Sequence, residues 1–190
     1  MINVVFCFYM DTIVQDGDEV LRQIAEPVAE SEFGTDELTS LVNRMNDALD
    51  KEMDGVALAA PQIGISKRMF VVRYDRLTPL VAGEPVRDAD IGVFINPEFE
   101  KASRRREEMD EGCLSVRGLY GKTYRHQRAT ISARSIDGKR IERGGGGILA
   151  QVFQHEIDHL DGILFIDHAV DVFEAKRRDL VGTVEHTHED

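Results

Sequence analysis

The sequence predicts an α+β fold, and two observations lead to this class. Helical and strand patterns both occur: apolar residues recur every three to four positions in two segments, whereas β-branched and aromatic residues cluster in several shorter ones. These patterns do not alternate regularly as β-α-β units, the order that a parallel sheet would require. We therefore expect antiparallel or mixed sheets packed against helices.

Length and charge limit what the protein can be. The chain has 190 residues, enough for one domain, and its 23 basic against 35 acidic residues give a formal net charge of −12. This charge disfavours nucleic acid as the main ligand. Two cysteines make no disulfide framework, and no apolar run approaches the roughly 20 residues of a spanning helix. We expect one soluble domain over residues 1–190, in the reducing cytoplasm and without a membrane partner.

The first ten residues, MINVVFCFYM, are apolar but lack the features of a signal peptide. We expect them either to form an edge strand or a loosely packed extension, or to precede a natural start at Met10. Cys7 stands among apolar and aromatic residues, which indicates a small buried side chain.

The first clear element is an amphipathic helix over about residues 36–54. Residues 12–28 before it mix a short strand pattern with turn residues. Thr35 can cap the helix, the first turn is acidic, and Gly55 stands where a helix commonly ends. The apolar positions are spaced by three and four: Leu38, Leu41, Val42, Met45, Leu49 and Met53.

Strands and a second helix follow. Segments 68–74 and 92–97 are strand-like, with a long surface loop between them. Segments 130–135 and 139–142 flank an Asp-Gly step that is typical of a hairpin turn. The four glycines at 144–147 are expected to form a flexible joint before a helix at about 148–160. A last helix at about 170–180 precedes a polar tail at 183–190.

The second helix carries an H-E-x-x-H motif, His155 to His159. Residues four apart share a helix face, so both imidazoles can reach one metal ion, and Glu156 can handle the proton of a bound water. Two unrelated histidines on a solvated face are the alternative. Apolar neighbours disfavour it, because a buried His-Glu-His cluster needs a partner such as a divalent cation. The motif therefore predicts a catalytic metal site, which usually has three protein ligands.

The residues alone leave the third ligand open. His168, His186 and His188 lie downstream at a turn or in the polar tail, where solvated side chains are expected, and this disfavours an H-E-x-x-H peptidase. Cys113, in the upstream segment EGCLS, offers a thiolate, although a free cysteine is more often a small buried residue.

A segment rich in small residues, GVALAAPQ at 55–62, follows the first helix. It would let a backbone run close to a ligand, and Gln62 ends it with a neutral hydrogen-bond donor. Taken alone, it indicates only a tight packing turn.

Together the three segments resemble the motifs of the peptide deformylase family. GVALAAPQ corresponds to GxGϕAAxQ, EGCLS at 111–115 matches the second motif and QHEIDH at 154–159 matches the third, in the same order. The similarity runs from about residue 12 to residue 166. It implies a deformylase-like α+β fold, with sheets around the central HExxH helix, an N-terminal amphipathic helix and a C-terminal helix. It also implies a metal-dependent hydrolase that removes the N-formyl group from the N-terminal methionine of newly synthesised proteins and releases formate.

The resemblance assigns the chemistry by position. It implies one divalent metal ion, Fe²⁺ in the cell and Zn²⁺, Ni²⁺ or Co²⁺ as substitutes in a purified sample. Glu156 would act as general base and then general acid, and the side chain of Gln62 and the N–H of Leu114 would stabilise the oxyanion. The implied metal ligands are Cys113, His155 and His159, with water as the fourth.

The resemblance also implies how substrate is bound. The backbone of Val56 and Ala57 would pair with an extended peptide, and Glu111 would form a buried ion pair with Arg125. The residues implied to line the methionine pocket, near the His155 ring, are Val56, Met109, Ile148 and Val152.

The chain departs from the family pattern near the substrate entrance. Ala57 replaces the second glycine of the first motif, Arg117 and Tyr120 follow the second motif where proline and arginine are frequent, and Tyr124 replaces a frequent proline. These changes favour one alternative, a hydrolase for a different formamide. A non-catalytic metal-binding module is another, which the presence of Glu156 and Gln62 disfavours.

The expected partners are N-formylmethionyl peptides of nascent chains. Some members of the family dock to the ribosome through a basic C-terminal helix, and Lys176, Arg177 and Arg178 offer a similar contact. A solvated helix end is the alternative reading of these three charges.

Overall fold

The computed structural model describes residues 12–77 and 91–174. Short 3-10 turns at Glu19–Arg22, Glu30–Glu32, Ala60–Ile63 and Phe165–Asp167 join its regular elements. In chain order these elements are α1 (Asp36–Asp50), β1 (Ala57–Ala59), β2 (Met69–Arg73), α2 (Tyr74–Leu77), β3 (Ile91–Ala102), β4 (Arg106–Cys113), β5 (Val116–His126), β6 (Arg128–Arg134), β7 (Arg140–Gly146), α3 (Ile148–Leu160) and β8 (Val170–Glu174).

The strands form two antiparallel sheets. One has five strands in the order β1-β2-β3-β6-β7, and the other has three in the order β4-β5-β8. Because β1 is an edge strand of the larger sheet, one side of its backbone is not paired within the sheet. The predicted α+β class is confirmed.

Helix α1 begins as predicted, since the Thr35 hydroxyl accepts a hydrogen bond from the N–H of Leu38 at 3.2 Å. It ends at Asp50, however, and not near residue 54. Gly55 does not end the helix but packs closely against it: a Cβ there would lie 2.8 Å from Cδ1 of Leu49, so that side chain would have to shift. This close approach brings the segment after the helix against its apolar face.

Helix α3 has the bounds that the periodicity predicted. It packs on the larger sheet through a cluster in which the ring centroids of Phe70 and Phe94 lie 4.9 Å apart and those of Phe94 and Phe153 lie 5.5 Å apart. Burial of such side chains stabilises the fold by about 2–3 kcal/mol each. The helix that carries the metal motif is therefore held by the core.

Two predicted elements are wrong. Three of the four glycines, expected to form a flexible joint, continue strand β7 and pair with β6. The predicted C-terminal helix is a strand over Val170–Glu174, paired with β5. The apolar residues of this segment, two valines and a phenylalanine, suit a strand, and β5 offers the edge that such a strand requires.

Some predictions fall outside the described residues. These are the N-terminal extension with Cys7, residues 78–90 of the surface loop, the second half of the C-terminal helix with its three basic residues, and the tail with His186 and His188. Within the part that is described, no helix is long and apolar enough to span a lipid bilayer.

Candidate metal centre and active site

Three side chains from two elements meet at one point. Cys113 ends β4, whereas His155 and His159 lie one turn apart on α3. Their donor atoms all lie within 4.8 Å of one another, and Cys113 Sγ is 3.1 Å from His159 Nε2. A tetrahedral site with bonds of about 2.0–2.3 Å separates its ligands by a similar distance. The geometry fits one metal ion and brings together the three predicted ligands.

Glu111 orients the first imidazole. Its Oε1 lies 2.6 Å from Nδ1 of His155 and 2.6 Å from Nη2 of Arg125, and both carboxylate and guanidinium are buried. Burial alone would raise the pKa of Glu111, but the hydrogen bonds from His155 and Arg125 outweigh it and hold this pKa well below its usual value. The carboxylate stays charged, accepts a hydrogen bond from Nδ1–H and leaves Nε2 of His155 for a metal. The predicted ion pair between Glu111 and Arg125 is present.

The environment of the two imidazoles also suits a cation. Burial lowers the pKa of His159 well below its usual value, which favours the neutral ring that a metal needs. Burial acts in the same direction on His155, but hydrogen bonds with Cys113 and Glu111 outweigh it and raise its pKa. The Cys113 sulfur and the Glu111 carboxylate thus both favour positive charge at His155. A metal ion would supply that charge in place of a proton on the ring.

Glu156 is buried beside these ligands. Its Oε2 has no hydrogen-bond partner among the described residues, and the side chain borders the cavity of the site. Burial raises the pKa of Glu156 to about 7. An orphaned buried carboxylate oxygen points to a partner such as water, and a pKa near neutrality suits both accepting and donating a proton.

Gln62 presents its amide NH₂ to the site. Its Oε1 accepts a hydrogen bond from the N–H of Ala59 at 2.9 Å, while Nε2 lies 3.2 Å from Ser115 Oγ and 3.6 Å from Cys113 Sγ. This fixes which end of the amide faces the cavity. Ser115, missed as a site residue, could have been found from its place in the second motif.

A cavity of about 610 Å³ opens next to the three ligands. Of the predicted substrate residues, Val56, Ala57, Ile148 and Val152 line it, whereas Met109, on β4, is not among its lining residues. Predicted oxyanion donors Gln62 and Leu114 also line it. Asp54, beside Gly55, and Gln151, which precedes His155 by four positions and so shares its helix face, also line the cavity and were not predicted from the sequence.

The comparisons with known proteins agree with this geometry. A model of the polypeptide deformylase family matches residues 10–174. The chain belongs to the polypeptide deformylase family. A peptide deformylase from Acidobacterium capsulatum is 42% identical over 169 residues, 89% of this chain and 89% of the relative. One from Desulforudis audaxviator is 37% identical over 164 residues, 86% of this chain and 96% of the relative.

Solved structures of deformylases share the fold. The actinonin-bound class I type b peptide deformylase from Acinetobacter baumannii has a TM-score of 0.73 at 31% identity, with 84% of this chain and 97% of that chain covered. The Met-Ala-Ser-bound structure of the same type and organism has a TM-score of 0.72 at 30% identity, with 83% and 97% covered. These findings confirm the resemblance, the fold class and the expected class of enzyme, a peptide deformylase.

The residues that depart from the deformylase pattern lie in three different places: in strand β1, along the cavity and on the exposed surface. Ala57 pairs with Val72 in regular antiparallel register, so its methyl group imposes no irregular backbone on β1. Arg117 and Tyr120 line the cavity, and Arg117 forms ion pairs with the side chains of Glu52 and Asp54 at its mouth. Tyr124 is exposed and is not among the lining residues.

The structure also disfavours the peptidase alternative. His168 Nε2 lies 3.8 Å from Asp158 Oδ2 and is not part of the ligand cluster. Within the described residues the third donor of that cluster is the thiol of Cys113, as the family resemblance implied.

Proposed function

We propose that Cys113, His155 and His159 hold one divalent metal ion, and that this site hydrolyses the formamide of N-formylmethionyl nascent chains. The convergence of one sulfur and two imidazoles beside the buried Glu156 carries the proposal. The ligand set suits several metals, and we propose Fe²⁺ in the cell. The whole chain, residues 1–190, is proposed to act as a single catalytic domain.

Glu156 moves the proton. A divalent ion held by Cys113, His155 and His159 would supply a nucleophile near neutral pH, because it would lower the pKa of a bound water. The carboxylate of Glu156 accepts the proton released as the formyl carbon is attacked. It then donates that proton to the amine of the departing methionine, so that formate and a free amino terminus result.

Gln62 and Leu114 stabilise the charge that develops on the formyl oxygen. The Gln62 amide is fixed by Ala59, so its Nε2 needs little reorganisation to donate a hydrogen bond. The backbone N–H of Leu114 is the second donor. A preorganised donor of this kind is worth about 3–4 kcal/mol in the transition state.

The unpaired side of β1 provides the place for the peptide. A relative has been solved with Met-Ala-Ser bound, and in this chain an extended peptide would add to β1 through the backbone of Val56 and Ala57. The methionine side chain would enter the apolar part of the cavity, between Val56, Ile148 and Val152. Met109 is not among the lining residues and is given no contact with the substrate.

Formate release decides the proposed function. The protein is purified without oxygen, its metal is analysed, and formate is measured with formyl-Met-Ala-Ser on the same sample. Wild type is expected to hold about one metal ion per chain and to release formate, whereas Glu156→Ala keeps the metal and loses about 100- to 10,000-fold in kcat. Absence of turnover by the Fe²⁺-loaded wild type would reject the proposal.

A different formamide is the second candidate, because Arg117 and Tyr120 line the cavity where the family pattern differs. A panel of formyl amino acids and formyl peptides tests it. Faster turnover of a substrate without methionine would favour this candidate over the first.

Location and a ribosome contact complete the proposal. The substrate is a nascent chain, so we place the enzyme in the cytoplasm and propose that Lys176, Arg177 and Arg178 contact the ribosome. The basic composition of these residues in an acidic chain supports this. Replacing all three with alanine should weaken sedimentation with ribosomes, and unchanged sedimentation would remove the idea.

A further inference from the structure

Residues 14–16 connect the two segments that carry the proposed oxyanion donors. The N–H of Val14 donates to the carbonyl of Gln62 at 2.9 Å. Two residues later, the N–H of Asp16 donates to the carbonyl of Ser115 at 2.7 Å. This short N-terminal segment therefore holds the 3-10 turn of Gln62 and the turn after Cys113 at a fixed separation.

The side chain of Gln15 lies between these two bonds and spans the turn at residues 113–117. Its Nε2 donates to the carbonyl oxygen of Leu114 at 3.0 Å, and its Oε1 accepts from the N–H of Arg117 at 3.4 Å. One amide thus uses both its donor and its acceptor on the backbone of the same turn. A residue distant in sequence from this turn fixes its conformation.

The hydrogen bond from Gln15 to the carbonyl of Leu114 is linked to the Cys113 sulfur through one peptide unit. The peptide unit that joins Leu114 to Ser115 is planar, so its carbonyl and its N–H point in opposite, coupled directions. Gln15 holds the carbonyl, and the N–H of Ser115 is directed at Cys113 Sγ at a distance of 3.4 Å. Rotation of this peptide would weaken the N–H···S bond and would also disturb the neighbouring N–H of Leu114.

We propose that Gln15 is a positioning residue for the thiolate and for the oxyanion donor of this turn, an inference that rests on the proposed function. Its amide keeps the N–H of Ser115 on Cys113 Sγ. A hydrogen bond to the sulfur withdraws charge that the thiolate would otherwise donate, so its loss leaves a more electron-rich ligand. Gln15 itself touches neither the metal ligands' donor atoms nor the substrate.

Three variants test the role of Gln15. Gln15→Ala removes both contacts, whereas Gln15→Glu keeps the length and the acceptor toward Arg117 but loses the donor toward Leu114. Gln23→Ala is the matched control, because Gln23 is an exposed glutamine of the same N-terminal segment with no side-chain hydrogen bond described. Each protein is loaded with Co²⁺, whose thiolate charge-transfer absorption reports on the sulfur, and kcat and KM are measured with formyl-Met-Ala-Ser.

We expect Gln15→Ala and Gln15→Glu to move the charge-transfer band to lower energy and to lower kcat about fivefold, with KM within about twofold. Gln23→Ala should match wild type in both. A wild-type band and kcat in Gln15→Glu would overturn the inference, as would equal effects of Gln23→Ala or a loss of thermal stability alone. If the wild type itself shows no thiolate band or no formate release, the proposed function fails instead.

Discussion

Oε1 of Glu111 lies 2.6 Å from Nδ1 of His155, and Glu111 precedes Cys113 on the same strand by two residues. Strand β4 thus supplies the thiolate and also the carboxylate that orients an imidazole of α3. Arg125 and Thr123 on β5 bind the same carboxylate, at distances down to 2.6 Å. The smaller sheet therefore fixes the position of the Glu111 carboxylate relative to the sulfur of Cys113.

Replacement of Glu111 by glutamine should weaken metal binding. The neutral amide no longer attracts the Nδ1 proton of His155 strongly, and it leaves Arg125 with less compensating charge in a buried position. Loss of such a partner typically costs about 10- to 100-fold in metal affinity. Competition with a chelator measures it. Glu108→Gln, on the exposed face of β4, is the control, and equal affinities of the two variants would contradict the role given to Glu111.

Replacement of Gln62 by alanine should slow catalysis without loss of metal. The variant removes the proposed oxyanion donor, so kcat should fall about 100- to 1,000-fold while KM changes little. Steady-state formate release and metal analysis check this. Gln127→Ala, which removes a half-buried amide bonded to Glu107 at 2.8 Å away from the cavity, should behave as wild type. A loss in Gln62→Ala of less than about fivefold would mean that this amide does not bind the oxyanion.

The metal motif could be predicted from the sequence because its geometry is local. His155 and His159 are four residues apart, and the apolar positions around them repeat with the helical period, so the bounds of α3 follow from the residues alone. The pairing of Cys113 with this helix is not local. It required the family resemblance, because a cysteine by itself is as well explained by burial.

The smaller sheet could not be predicted, since its strands lack an apolar alternation. Strand β4 reads REEMDEGC, and several of its charged side chains face solvent or pair with β5. It is held by pairing with the adjacent β5, and β5 in turn pairs with β8 about 50 residues further on, contacts that hydrophobic periodicity does not reveal. Gln15 could not be predicted as a site residue for a related reason: the carbonyl oxygen that it binds, that of Leu114, lies 99 residues away in the sequence.

Substitution of Gly145 should destabilise the packing of β7 on α3. A Cβ at this position would lie 2.6 Å from Cγ of Leu149, near the root of that side chain, so Gly145→Ala should lower the free energy of unfolding by about 1–3 kcal/mol. Urea denaturation measures the change. Gly146→Ala is the control, because its Cβ would meet its nearest described atom, the carbonyl oxygen of Gln127, at 3.5 Å, an ordinary contact. Equal free energies of unfolding for Gly145→Ala and Gly146→Ala would show that the Leu149 side chain moves aside without loss of stability.

Reversion of Ala57 to the family's glycine should leave catalysis nearly unchanged. Ala57 already pairs with Val72 in regular antiparallel register, so its backbone is available to a peptide on the other side of β1. The value of kcat/KM for formyl-Met-Ala-Ser should stay within about twofold of wild type. A glycine within a strand costs about 0.5–1 kcal/mol of folding free energy, and this loss should appear in denaturation.

Ala133→Gly separates the two effects of that reversion. Ala133 lies on β6 of the same sheet and is buried, but it is not among the residues that line the cavity. It should therefore show a similar loss of stability with no effect on the substrate. If Ala57→Gly raised kcat/KM more than about fivefold and Ala133→Gly did not, the methyl group of Ala57 would obstruct the peptide and the second candidate function would gain support.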